Sequence, residues 1–106
     1  MGTLSAASKA RRAVIRTRRA AVDEVLRRYR ATNPRLFGSV ARGDATESSD
    51  IDLLVDLERD AGNPLLRVAG ISEELSTLLE VRVDVVAPEI LRDAVSATAL
   101  ADAVAV

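Results

Sequence analysis

Two aspartates, Asp50 and Asp52, stand two residues apart where an apolar run begins, with Ile51, Leu53, Leu54 and Val55 around them. In a strand, the period of two puts both carboxylates on one face. Like charges so placed repel unless something positive lies between them, which makes the arrangement poor for folding alone. Two carboxylates held by an apolar scaffold suit a divalent cation, and hard oxygen donors suit Mg²⁺ in particular. Upstream, Gly38 and Ser39 follow the apolar Leu36 and Phe37, and ten residues separate Ser39 from Asp50. A glycine and a serine where a strand turns into a helix offer close backbone approach, amide donors and a hydroxyl, all useful to phosphate oxygens. Taken alone, the pair is equally a plain turn with a serine cap. A further aspartate, Asp84, interrupts the run VRVDVV, a context where Asp is disfavoured. The bland alternative makes Asp50 a turn residue and leaves Asp52 and Asp84 solvated on an exposed strand face. Three carboxylates in such runs, together with the Gly-Ser pair, favour a site.

Other chemistries are excluded by what the chain lacks. It has no histidine and no cysteine, so no Ser-His-Asp triad, thiolate nucleophile or His/Cys zinc site can be built. Gly38 to Gly43 matches the first half of a P-loop, but Asp44-Ala45 stand where that motif needs Lys-Ser/Thr. A carboxylate there would repel a triphosphate. The tripeptide Arg42-Gly43-Asp44 carries no adhesion meaning without a secretion signal. With only Phe37 and Tyr29 as aromatics, no aromatic clamp is available for a nucleobase, and Phe37 is expected in the core.

The ordered series GSVARGD…SDIDLLVD, then the lone Asp in VRVDVV, resembles the signature of the nucleotidyltransferase superfamily that includes DNA polymerase β. Within it the series is similar to the minimal nucleotidyltransferases, over about residues 34–106. The resemblance implies AMP transfer from ATP to an acceptor hydroxyl with two Mg²⁺ ions. It implies that Asp50 and Asp52 hold the metals and that Asp84, from a neighbouring strand, ligates the ion nearest the acceptor. Gly38 and Ser39 would cradle the β- and γ-phosphates. Arg42 is a candidate for a phosphate oxygen, with an ion pair to Asp44 or Glu47 as the alternative; Arg82 would tune Asp84, touch substrate or simply balance charge. The resemblance also implies a partner, since members of this family are often paired with a HEPN-domain ribonuclease toxin, which they neutralise by adding AMP to a tyrosine. The expected partner is therefore such a toxin, in a hetero-oligomer. A non-catalytic antitoxin that masks its toxin by binding is the rival reading.

The elements that must position these residues follow from periodicity. Ile15, Val22, Val25, Leu26 and Tyr29 give a narrow apolar stripe that predicts one helix over residues 8–30. Asp23 with Arg27 and Glu24 with Arg28 are spaced as i,i+4 pairs, and Asn33-Pro34 is expected to end the helix. Residues 9–19 are more polar and are expected to project as a frayed arm. Short strands are predicted at 35–37, 50–57 and 81–86, and a brief helix over GSVARG. Asn63-Pro64 should start a helix carrying Leu65, Val68, Ile71, Leu75, Leu78 and Leu79. Pro88 should begin a short helix to about residue 94, and the alanine- and valine-rich tail fits helix, edge strand or disorder. The expected fold is α/β (α+β), a small mixed sheet of three to four strands flanked by helices. Residues 1–33 would be a basic N-terminal helix and 34–106 the catalytic core, together one domain.

Charge divides along the same line. Residues 1–35 carry ten Lys/Arg against two acidic residues, a balance of +8, while residues 36–106 carry five Arg against fourteen acidic residues, a balance of −9. Such a dipolar chain fits an anionic partner at the front, or a basic helix lying over an acidic body. Nucleic acid is not the expected partner, because the basic helix lacks interleaved aromatics and a recognisable reading motif. No apolar run approaches the ~20 residues of a membrane span, no secretory signal begins the chain, and cysteine is absent; the expectation is a cytoplasmic protein.

Overall fold

The computed structural model describes residues 4–90 and 103–106. Helices α1 (Ala6–Thr17) and α2 (Arg19–Arg28) are followed by strand β1 (Ala31–Phe37), the short helix α3 (Gly38–Arg42), β2 (Ile51–Leu57), α4 (Pro64–Leu79), β3 (Val83–Val86), a 3₁₀ turn at Pro88–Ile90 and β4 (Val104–Ala105). The sheet order is β3-β2-β1-β4. β1 runs antiparallel to β2 and β4, and β2 runs parallel to β3 across the α4 crossover. It is the small mixed sheet flanked by helices that the sequence predicts.

β2 lies in the interior of the sheet, with every apolar residue buried and only Asp52 and Asp56 partly open. Ile51, Leu53, Leu54, Val55 and Leu57 are all buried. Ile51, Leu53, Val55 and Leu57, alternate residues on one face, pack with Val22, Val25 and Leu26 of α2 and with Val68, Ile71, Leu75 and Leu79 of α4. Asn63 caps α4, its side-chain oxygen accepting from the Leu65 and Leu66 amides, with Pro64 at the first helical position. Leu65, placed by periodicity on the apolar stripe, instead stands 63% exposed beside the exposed Leu66, in the first turn of α4.

The single long helix is two. α1 and α2 meet at Arg18 (φ −102°, ψ 18°), where the ladder continues from Arg18 N–H to Val14 O and from Val22 N–H to Arg18 O. The join is therefore a bend, which lets α2 lie on the core while α1 crosses over the α3 loop. Nor is α1 a frayed arm: Ser8 and Ile15 are buried. The ion pairs also differ from those predicted. Arg19 pairs with Asp23 at 2.9 Å, Arg27 with Glu24, and Arg28 with Glu74 of α4 at 2.7 Å. Two of these pairs are still local, with different partners along α2, and only Arg28 reaches across to another helix.

Asn33-Pro34 does not end the helix either. α2 stops at Tyr29, and Arg30 turns the chain at φ +57°. Buried Arg67 donates to the carbonyls of Tyr29 and Arg30 at 2.9 and 2.7 Å, acceptors at the end of α2, and to Glu58 O after β2 at 2.9 Å. Asn33 and Pro34 form a bulge inside β1, where the register slips between Thr32 and Arg35, a position that tolerates the missing proline donor. β3 begins two residues later than predicted. The tail supplies a two-residue edge strand, and the predicted continuation of the helix after Ile90 lies outside the described residues.

Candidate active site

The site forms where β1 ends and β2 and β3 begin. Parallel pairing sets Asp52 opposite Asp84, so neighbouring strands present the two carboxylates side by side on one face. Asp50 precedes β2 by one residue and faces the same region. Antiparallel pairing sets Phe37 opposite Asp52, which brings the following Gly38 against that carboxylate. Gly38 has φ +71°, and a Cβ there would lie 2.3 Å from Asp52 Oδ2. No other residue type fits both conditions without displacing the carboxylate. Ser39 follows in the first turn of α3, and Gly43 (φ +89°) closes that helix with its N–H donating to Ser39 O at 2.9 Å. Phe37, expected in the core, is half-buried at the rim; Leu36 is the core residue of that pair.

Electrostatics identify Asp52 as the centre. Burial raises its carboxyl above the ordinary value, repulsion from Asp84 and Asp50 pushes the same way, and Arg42 opposes them. Arg42 also contacts Asp44, with Nε 3.4 Å from Oδ2. Arg82, which precedes β3, stands between the other two acids: its Nε is 3.6 Å from Asp50 Oδ2 and 3.4 Å from Asp84 Oδ1. The three-carboxylate donor set has the right chemistry for a hard divalent cation. As the side chains stand, however, no group of three or more acidic residues is gathered to hold a metal ion among the described residues.

Sequence reasoning missed what fixes the loop joining Gly38-Ser39 to Asp50. One face of α1, Ser5, Ser8, Arg11 and Arg12, grips its backbone. The Ser5 hydroxyl donates to Ala45 O at 2.7 Å, and the Ala45 N–H donates to the Ser8 hydroxyl at 3.0 Å. Arg11 donates to Glu47 O at 3.0 Å and more weakly to Ser49 O at 3.4 Å, and Arg12 to Ala41 O at 2.9 Å. The signal was a polar stripe at three- and four-residue steps, which a search for apolar periodicity passes over.

The sheet mouth joins a glycine-serine turn to carboxylates on two parallel strands, a combination whose chemistry suits phosphate oxygens and a divalent cation. Comparison makes this specific. Residues 18–106 match the model of the nucleotidyltransferase domain, and the chain belongs to that family as a minimal nucleotidyltransferase. It is 37% identical over 81 residues to the protein adenylyltransferase MntA of Thermococcus cleftensis, covering 76% of this chain and 80% of that one. It is 38% identical over 63 residues to the candidate protein adenylyltransferase MJ0126 of Methanocaldococcus jannaschii, covering 59% and 62%. A solved structure of a candidate minimal nucleotidyltransferase superposes with a TM-score of 0.70 at 43% identity, over 85% of this chain and 90% of that one. A toxin-antitoxin structure with AMP-PNP shares the fold, with a TM-score of 0.67 at 21% identity over 79% and 68%. No helix among the described residues is long and apolar enough to cross a membrane.

Proposed function

We propose that the chain transfers AMP from Mg-ATP to a hydroxyl of a partner protein, a tyrosine of a HEPN-type ribonuclease toxin, and so acts as its antitoxin. The observation that carries the reading is the register of Asp52 with Asp84 beside Gly38, which gathers acid and phosphate chemistry at one sheet mouth. The two adenylyltransferase relatives support AMP as the transferred group and protein as the acceptor.

In this mechanism Asp50, Asp52 and Asp84 would hold the magnesium. When bound, it supplies neutralisation of the triphosphate and a lowered pKa for the acceptor hydroxyl. Gly38 leaves room for the triphosphate to approach the backbone, and the Ser39 hydroxyl donates to a phosphate oxygen. Asp84, on the strand at the edge of the sheet, takes the acceptor side. Arg42 adds positive charge at the nucleotide side of Asp52. The α1 face keeps the loop between them in place, so that little ordering remains to be done when ATP binds.

The test is the intact mass of the partner toxin, co-expressed with the wild-type chain or with Asp52→Asn. Gain of one or more AMP units only with the wild type is the expected result. A second reading, neutralisation by binding alone, draws on the engagement of Asp50 and Asp84 by Arg82. It predicts that the toxin stays unmodified and that Asp52→Asn neutralises it as well as the wild type.

A further inference from the structure

The carboxylates that would hold the metal already have a cation. Arg82 Nε lies 3.6 Å from Asp50 and 3.4 Å from Asp84, and its side chain is 73% exposed. These contacts are longer than charge-assisted hydrogen bonds, and exposed pairs of this kind are weak. The backbone beneath is fixed: Ile51 N–H donates to Arg82 O at 2.9 Å, tying the start of β3 to the start of β2. A guanidinium on a long flexible stem can therefore leave the acids while its Cα stays in place.

We infer that Arg82 is a tethered counter-ion that neutralises Asp50 and Asp84 before nucleotide arrives and competes with divalent metal for them. It is a positioning residue. Arg82 would yield its place to a metal that arrives already ligated by a triphosphate more readily than to the free ion, which would have to compete with it. The site then loads metal together with nucleotide. This inference rests on the metal-site reading above.

The test is Mn²⁺ binding to the nucleotide-free chain, followed by the electron paramagnetic resonance signal of the free ion. Arg82→Ala should bind Mn²⁺ roughly three- to tenfold more tightly than the wild type, the range that loss of weak exposed pairs allows. Arg82→Lys, which keeps a tethered charge, should stay near the wild type. Equal affinity in the wild type and Arg82→Ala, with binding abolished by Asp52→Asn, would overturn the inference and leave the metal site standing. Tightening by Arg82→Lys as large as by Arg82→Ala would overturn it too. Absence of Mn²⁺ binding in every variant, with a non-hydrolysable ATP analogue present as well, would overturn both.

Discussion

Arg67 and Arg82 sit at opposite ends of β2 and solve opposite problems. Arg67 is 8% exposed and gives its donors to the carbonyls of Tyr29, Arg30 and Glu58. Arg82 stands in water beside Asp50 and Asp84 at looser distances. The first guanidinium closes a helix end and the bulged start of β1; without it the Tyr29 and Glu58 carbonyls lose the donor it gives them, and Arg30 O keeps only the Glu58 N–H. The second balances charges that folding does not need. One end of the strand is built to stay, and the other is built to exchange its cation.

The largest expected effect breaks the exchangeable end. Asp52→Asn should lower AMP transfer about a thousandfold, ~4 kcal/mol in the barrier, in a quantitative labelling assay. The same variant should melt at a higher temperature at neutral pH with chelator present. The sign follows from linkage. The pKa of Asp52 is raised on folding, so the folded state keeps the proton to higher pH than the unfolded state does. Its contribution to stability is full below the unfolded value near 3.8 and is lost as pH rises through the raised folded value; asparagine removes that loss.

At the fixed end, Arg67→Ala should destabilise the fold by about 3 kcal/mol, since it leaves carbonyl acceptors unsatisfied; urea denaturation measures it. Gly38→Ala comes next. It forces a side chain into the left-handed region and against Asp52 Oδ2, for a stability cost of about 1–2 kcal/mol and a loss of AMP transfer out of proportion to it. The smallest effect belongs to Arg82→Ala, which should leave stability within about 0.5 kcal/mol of the wild type. A loss as large as that of Arg67→Ala would erase the distinction between the two ends.

The sequence revealed most where chemistry and backbone geometry act together. Asp50-x-Asp52 stood out because acids opening an apolar strand serve folding poorly, and Gly38-Ser39 because a glycine-serine turn follows an apolar run; the contact of Gly38 with Asp52 is seen only in the fold. The elements were legible where burial repeats, as along β2 and α4. What could not be read depended on distant partners. The bend at Arg18 arises because α1 answers to the loop at 40–49 and α2 to the core. Asn33-Pro34 looked like a helix end, but Arg67, more than thirty residues away, had already helped to close α2. The register of Asp52 with Asp84 is set by strand order, which local pattern does not encode, and whether Arg82 served balance or substrate depended on that register.

The most direct test of the central claim, that carboxylates from two parallel strands work as one site, uses Asp84. The purified chain and its Asp84→Asn variant, matched for melting temperature, would each be mixed with the partner toxin and ATP labelled at the α-phosphate. The account predicts label on the toxin with the wild type and almost none with Asp84→Asn. Equal labelling by both would contradict it, because Asp84 would then stand beside the chemistry without taking part.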